Sequence, residues 1–120
     1  MYKIIVPGIP RSSKSNSCNA WKQKVATIAK GMCNIPLKGD DLMIRLMIFY
    51  NGLPTFDNDN VLKPICDALK GICYADDHQL SKHYVERIPL EGYAGQIENP
   101  SSELLEAISK REDFVYIEIS

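Results

Sequence analysis

The segment Asp41–Tyr50 constrains the fold of this 120-residue chain more than any other stretch, because it combines the alternation of a β-strand with apolar residues on both faces. One face would carry Leu42, Ile44, Leu46 and Ile48, and the other would carry Met43, Met47 and Phe49. A strand that is apolar on both faces needs cover on both sides. It must therefore lie in the interior of a sheet, or a second subunit must cover one of its faces.

Shorter elements are predicted on both sides of this strand. The other predicted strands are Tyr2–Val6, Gln79–Ile88 and Phe114–Ile119, and the predicted helices are Asn19 to about Met32, about Asn60 to Lys70, and Ser101–Lys110. Pro64 is expected in the first turn of the second helix, where a missing N–H group costs least. This order predicts a single α+β domain over residues 1–120, with two layers: a small mixed β-sheet and helices packed on one face.

The composition, with 45% hydrophobic and 24% charged residues, is that of one globular domain and excludes a disordered chain. No run approaches the roughly 20 apolar residues of a membrane span, and the first residues lack the pattern of a signal peptide. The four cysteines form no CxxC motif, which argues against a zinc site and favours reduced, mostly buried thiols. We therefore expect a cytoplasmic protein without a membrane partner.

The charge is distributed unevenly, although the net charge is only −1. Residues 1–39 carry seven basic residues and no acidic ones, whereas residues 40–120 carry seven basic and fifteen acidic residues. Such asymmetry favours an anionic partner for the first third of the chain, and a solvated basic helix face is the alternative. The candidate contacts to such a partner, which would be DNA if the partner is a nucleic acid, are Arg11, Lys14, Lys22, Lys24 and Lys30.

The loop over residues 8–15 nearly matches a Walker A motif between a strand and a helix. Ser13 stands where the second glycine is needed, and Pro10 lies inside the loop. We therefore expect no nucleotide cofactor. The side chains of Arg11 and Lys14, with the neighbouring serine hydroxyls, suit contacts to a nucleic-acid backbone instead.

Four aspartates flank the second predicted helix. Asp57 and Asp59 lie where the preceding loop enters the helix, and Asp76 and Asp77 lie between the helix and the next strand. Carboxylates that are brought together repel one another unless a cation joins them, and oxygen ligands suit a hard cation such as Mg²⁺. The alternative is that these are ordinary turn and N-cap aspartates.

Lys63 lies four residues from both Asp59 and Asp67, on one face of the predicted helix. It could neutralise charge that develops on a phosphate, or it could form a simple i,i+4 ion pair. An EF-hand loop beginning at the same aspartates is excluded, because Leu62 replaces the required glycine and Ala68 replaces the required glutamate.

This segment resembles the hallmark motif of the RusA-type Holliday junction resolvases, a family common in phages and prophages. The family carries Asp-x-Asp-Asn, a lysine four residues after the second aspartate, Asp-Ala-Leu later on the helix, and an Asp-Asp pair before the next strand. The corresponding residues here are Asp57, Asp59, Asn60, Lys63, Asp67, Ala68, Leu69, Asp76 and Asp77. The resemblance covers residues 57–80.

The resemblance implies a RusA-like fold and a homodimeric, Mg²⁺-dependent endonuclease, with Mn²⁺ as a substitute ion. Such an enzyme cuts four-way DNA junctions by symmetric phosphodiester hydrolysis in recombination and repair. Carried over to this chain, Asp57, Asp59 and Asp77 would be the catalytic metal ligands, Asp76 an adjacent ligand, and Lys63 the essential lysine. The family also implies a bacterial cytoplasmic protein of phage or prophage origin.

Two features depart from the family pattern. Asn58 stands between the two motif aspartates, where an apolar residue is usual, and the segment Glu91–Asp113 is longer and more acidic than a minimal member needs. That segment could shield the site, replace a DNA-contacting loop or bind another protein. The alternative function is therefore a catalytically inactive RusA-like module that binds DNA or a protein.

Met43, Met47 and Phe49 are candidates for a buried sheet face or for the dimer surface.

Overall fold

Four strands form one mixed sheet in the computed structural model, which describes residues 1–93, 95 and 97–120. The strands are β1 (Tyr2–Pro7), β2 (Leu42–Tyr50), β3 (Leu80–Pro89) and β4 (Phe114–Ile119). The helices within these residues are α1 (Cys18–Met32), α2 (Asn58–Leu69), α3 (Ser102–Ser109) and a short 3₁₀ helix, Asp77–Gln79. The predicted α+β class with a mixed sheet is confirmed. No helix among the described residues has the length and apolarity that crossing a bilayer requires.

Strand β2 lies in the interior of the sheet, as its two apolar faces predict. The strand order is β1-β4-β2-β3, in which β2 is antiparallel to β4 and parallel to β3. A parallel pair needs a crossover connection, and α2 provides it. Helix α2 therefore runs back along the sheet, from the end of β2 towards the start of β3.

The two faces of β2 belong to two separate apolar clusters. Ile44, Leu46 and Ile48 lie in the larger cluster, which α1 and α2 complete with Trp21, Val25, Ala29, Val61, Ile65 and Leu69. Met47 and Phe49 lie in the second cluster, on the opposite face of the sheet. The layer of helices predicted on one face therefore consists of α1 and α2.

Helix α3 packs on the opposite face, where β2 needs its second cover. Leu104 and Ile108 of α3 join Met47 and Phe49 in the second cluster, and the ring of Phe49 stacks on Phe114 with centroids 4.4 Å apart. Only 2% of Met47 and none of Phe49 is exposed. These two side chains are covered within one chain, so they are not available as a dimer surface.

Helix α2 begins earlier than predicted, and Pro64 is not in its first turn. The helix starts at Asn58, which makes Pro64 its seventh residue. Proline has no N–H group to donate to the carbonyl four residues earlier, which here belongs to Asn60. That carbonyl instead accepts a hydrogen bond of 3.3 Å from the backbone N–H of Ser13. The prediction was wrong because a donor from a distant loop replaces the missing helical one.

The four cysteines are free thiols, as predicted. Cys33, Cys66 and Cys73 are buried and Cys18 is half-buried. Burial, helped by the negative charge of Asp77, raises the pKa of the Cys66 thiol to about 12. The three buried thiols therefore act as small apolar groups in the core.

The packing of α3 predicts unequal effects of two neighbouring leucines. Leu104→Ala should lower the free energy of unfolding by about 2–4 kcal/mol, because it leaves a cavity in the second cluster. Leu105 is 52% exposed, and its replacement by alanine should change stability by less than about 0.5 kcal/mol. Urea denaturation followed by circular dichroism measures both. Equal losses would show that α3 does not cover the sheet in this way.

Candidate active site

An acidic pocket lies at the N-terminus of α2. Asp57, Asn58, Asp59 and Asn60 line it together with Arg87 of β3, around a cavity of about 350 Å³. Asp57 is the N-cap residue, but its side chain makes no capping hydrogen bond to the backbone. Its Oδ2 atom accepts only a long contact of 3.4 Å from Nδ2 of Asn60. Because both carboxylates are also exposed, they remain available to a ligand.

The sequence also allowed Asp57 to be an ordinary N-cap residue. The absence of a capping hydrogen bond from its side chain argues against that interpretation. A capping aspartate normally accepts a hydrogen bond from the second or third backbone N–H group of the helix. The helix dipole places partial positive charge at this end, which stabilises Asp57 and Asp59 without neutralising them. The pocket therefore keeps two carboxylates that the fold does not use for hydrogen bonds to the backbone.

The second aspartate pair lies in the turn between α2 and β3. Asp76 caps the 3₁₀ helix by accepting a hydrogen bond of 3.2 Å from the backbone N–H of His78. That hydrogen bond, more than any nearby charge, lowers the pKa of the Asp76 carboxyl. Lys70 is 3.9 Å from the same carboxylate. Asp76 thus has a clear structural role in the turn.

Gln79 holds this turn in place, and sequence reasoning missed it. Its buried side chain accepts hydrogen bonds of 2.7 Å from the N–H of Ala75 and 3.0 Å from the N–H of Asp76. Its amide nitrogen, Nε2, donates to the carbonyls of Leu37 and Gly39. The spacing of Asp76 and Gln79 is that of a capping box, which was a signal that could have identified it.

Asp77 has an unsatisfied oxygen. The residue is half-buried, and its Oδ1 atom is fully buried without a hydrogen-bond partner. The nearby hydroxyl of Tyr74 does not serve it, because that hydroxyl donates to the carbonyl of Cys66 at 2.6 Å. An unsatisfied buried carboxylate oxygen is costly in a folded protein unless a ligand uses it. This atom fits a hard cation, which prefers carboxylate oxygens.

The two aspartate pairs do not form one cluster. Within the described residues, no group of three or more His, Cys, Asp or Glu side chains lies close enough to hold a metal ion. The charge of Asp77 acts on Cys66, which follows Asp59 by seven residues, about 10 Å along the helix at 1.5 Å per residue. Among the described residues, the four carboxylates are therefore not gathered around one point.

Lys63 forms the i,i+4 ion pair that the sequence left as one of two alternatives. Its Nζ atom lies 3.4 Å from Oδ2 and 3.5 Å from Oδ1 of Asp67. Lys22 of α1 approaches the same carboxylate at 3.9 Å. The Lys63 side chain is 75% exposed, so water screens this pair and its contribution to stability is small.

The basic loop between β1 and α1 lies against the acidic pocket. The hydrogen bond from Ser13 to the carbonyl of Asn60 joins the loop to a residue that lines the pocket. Arg11 and Lys14 are exposed on either side of this contact. The loop is further ordered by Ser12, whose Oγ atom accepts a hydrogen bond of 3.0 Å from the N–H of Lys14.

The three lysines predicted on α1 have different surroundings. Lys24 and Lys30 are exposed, whereas Lys22 is half-buried beside Asp67. Lys24 and Arg11 line a shared cleft next to Gly8. The Nζ atom of Lys24 lies 3.1 Å from the position that a Cβ at Gly8 would take, and Gly8 has a φ of +106°. A side chain at Gly8 would therefore crowd this basic surface as well as strain the backbone.

These observations describe an α+β domain in which an exposed acidic pocket lies beside a basic loop. The family model of endodeoxyribonuclease RusA matches residues 8–98, which include the basic loop and both aspartate pairs. The chain belongs to the RusA endodeoxyribonuclease family, and the predicted resemblance is confirmed. The family comprises nucleases of the Holliday junction resolvase type that bind branched DNA. No curated protein matches the chain significantly.

The contact between Ser13 and Asn60 depends on Pro64, and a substitution can test it. Pro64→Ala supplies a helical N–H that competes for the Asn60 carbonyl, so the amide of Ser13 should exchange with solvent about tenfold faster. Nuclear magnetic resonance measures this exchange, with the capping N–H of Leu104 in α3 as an internal control. Unchanged exchange at Ser13 would mean that the loop does not rely on the carbonyl that Pro64 leaves free.

Proposed function

We propose that this protein is a Mg²⁺-dependent endonuclease that resolves four-way DNA junctions by symmetric phosphodiester hydrolysis, in recombination and repair. One observation carries the proposal: the family match includes an acidic pocket whose carboxylates are exposed and make no capping bond. Mn²⁺ would substitute for Mg²⁺, since both ions favour oxygen ligands in octahedral sites. The protein would act in the bacterial cytoplasm as the product of a phage or prophage.

In this proposal Asp57, Asp59 and Asp77 are the catalytic metal ligands, with Asp76 beside them. A bound divalent cation would lower the pKa of water and stabilise the charge that develops on the phosphate. The carboxylate oxygens of Asp57 and Asp59 are exposed, and the buried Oδ1 atom of Asp77 has no other partner. Asp77 and the acidic pocket must approach each other for one ion to use all three, and the ion's charge would offset their mutual repulsion.

Lys63 would supply positive charge to the phosphate after leaving its ion pair. The pair with Asp67 is exposed and therefore weak, so a DNA phosphate can compete for the ammonium group. The side chain is long and has several rotatable bonds, which allows this exchange at small cost. This step distinguishes a catalytic Lys63 from one that only stabilises the helix.

A homodimer would place two such sites on one junction. A four-way junction is cut at two related positions, and a twofold-symmetric dimer presents two identical sites with matching symmetry. The basic loop would guide the DNA backbone to each site through Arg11 and Lys14, with Lys22, Lys24 and Lys30 extending this basic surface along α1.

Conservative substitutions at the carboxylates test the metal role. Asp57→Asn and Asp77→Asn should each lower the rate of junction cleavage at least 1,000-fold, because a neutral amide is a poor ligand for Mg²⁺. Junction binding should change less than threefold. The assay compares a four-way junction with a linear duplex, with and without Mg²⁺.

Glu112→Gln is the matched control for this experiment, because Glu112 is an exposed carboxylate outside the acidic pocket. Normal cutting by both aspartate variants would refute the assignment of the site. Wild-type protein that binds the junction without cutting it would indicate the inactive DNA-binding module. Protein that neither binds nor cuts would indicate a module for protein partners.

Charge reversal tests the basic loop. Arg11→Glu combined with Lys14→Glu should weaken binding to any DNA and reduce the slope of log K against log salt by about 2, since each lost phosphate contact removes roughly 0.9. Lys38→Glu combined with Lys110→Glu changes the net charge equally at two exposed residues. The control should retain the wild-type slope in a fluorescence anisotropy titration. An equal loss of DNA binding in both double variants would mean that net charge, and not the basic loop in particular, determines the affinity.

A further inference from the structure

Among the described residues, Arg87 is the only basic one that lines the acidic pocket. It lies near the end of β3, opposite Ile48 of β2 in the parallel register. Two residues earlier, Val85 packs against the cluster beneath α1 and α2, whereas the adjacent Ile88 lies in the cluster on the other face. Because side chains alternate along a strand, Arg87 projects on the same face of the sheet as α2.

The guanidinium group of Arg87 forms no ion pair with Asp57 or Asp59, although all three residues line one pocket. Ion pairs within 4.0 Å do occur elsewhere among the described residues, for example between Lys82 and Asp41 at 2.7 Å. The pocket thus contains two carboxylates and one guanidinium that lie across a space from each other. A ligand with both signs of charge would satisfy both sides.

A phosphodiester that accompanies a divalent cation has this charge pattern. The cation would bind the carboxylates, and the anionic phosphate oxygens would bind the guanidinium. Arginine donates paired, parallel hydrogen bonds to phosphate oxygens, which lysine cannot do. The cavity of about 350 Å³ holds roughly ten waters at about 30 Å³ each, which is sufficient for a hydrated ion and one phosphate group.

The position of the basic loop also favours a DNA backbone that crosses the acidic pocket towards Arg87. Ser13 binds the carbonyl of Asn60, so the loop borders the pocket at α2 while Arg87 borders it at β3. DNA held by the loop would therefore pass over the carboxylates and reach Arg87. Lys63 does not line this pocket, and its ammonium group contacts Asp67 instead.

We infer that Arg87 is a further catalytic residue, which binds the non-bridging oxygens of the scissile phosphate across the pocket from Asp57 and Asp59. The inference rests on the proposed nuclease function and assigns the phosphate contact within that same site. Arg87 would orient the phosphate in the ground state and stabilise its additional charge in the transition state.

The test pairs a protein variant with a change in the DNA. Wild type first identifies the cleaved bond, and a neutral methylphosphonate then replaces the phosphate at that position. Binding to both junctions is measured by fluorescence anisotropy without added Mg²⁺, and single-turnover cleavage of the natural junction is measured with Mg²⁺. The variants are Arg87→Gln, Arg87→Lys and, as a control on the same strand, Lys82→Gln.

We expect Arg87→Gln to slow single-turnover cleavage at least 100-fold and Arg87→Lys to recover part of the rate. Wild type and Lys82→Gln should bind the methylphosphonate junction several-fold more weakly than the natural one. Arg87→Gln should bind both equally, because its partner charge is already gone. A purely structural role for Arg87 would not abolish this discrimination, and thermal denaturation of each variant checks the fold.

Two results would overturn the inference. If Arg87→Gln cuts at the wild-type rate, or discriminates against the methylphosphonate as wild type does, Arg87 does not bind that phosphate while the nuclease function stands. If wild type neither binds nor cuts the junction, both the proposed function and the inference fail. Should Arg87→Gln prove unstable, the cleavage rate of Arg87→Lys decides. Lysine keeps the charge but loses the paired hydrogen bonds, so this variant should cut more slowly than wild type, and a wild-type rate would overturn the inference.

Discussion

The burial of β2 on both faces is the interaction on which the rest of the structure depends. One face supports α1 and α2, and the other supports α3. Because β2 is parallel to β3, α2 must run back along the sheet between them. This connection places the N-terminus of α2 beside the end of β3, and it brings Arg87 to the same pocket as Asp57 and Asp59.

A proline inside α2 links the helix to a distant loop. Pro64 leaves the carbonyl of Asn60 without its helical donor, and the N–H of Ser13 takes that place. A residue that would ordinarily weaken a helix thus creates an attachment point for the basic loop. Positive charge and the acidic pocket are adjacent for this reason, even though they are more than forty residues apart in the chain.

Local patterns predicted most of the helices and strands, and they singled out two of the residues that line the acidic pocket, Asp57 and Asp59. The alternation over Asp41–Tyr50 correctly predicted an interior strand, and the aspartate motif correctly pointed to the family. Gln79 was missed, although its capping-box spacing was visible, because its four hydrogen bonds reach Leu37 and Gly39 as well as its own turn. The position of Pro64 was also predicted wrongly, since propensity alone contains no information about a donor from another segment.

The sequence by itself determined the sheet's central strand, the basic first third of the chain and the aspartate motif, because periodicity, charge and spacing are local properties. Only the tertiary structure decided which groups meet. It leaves Asp77 outside the lining of the pocket that holds Asp57 and Asp59, and it brings Arg87 to that pocket. The physical reason is that contacts between side chains on different strands and helices depend on strand order and register. Strand order and register are set by the packing of the whole chain.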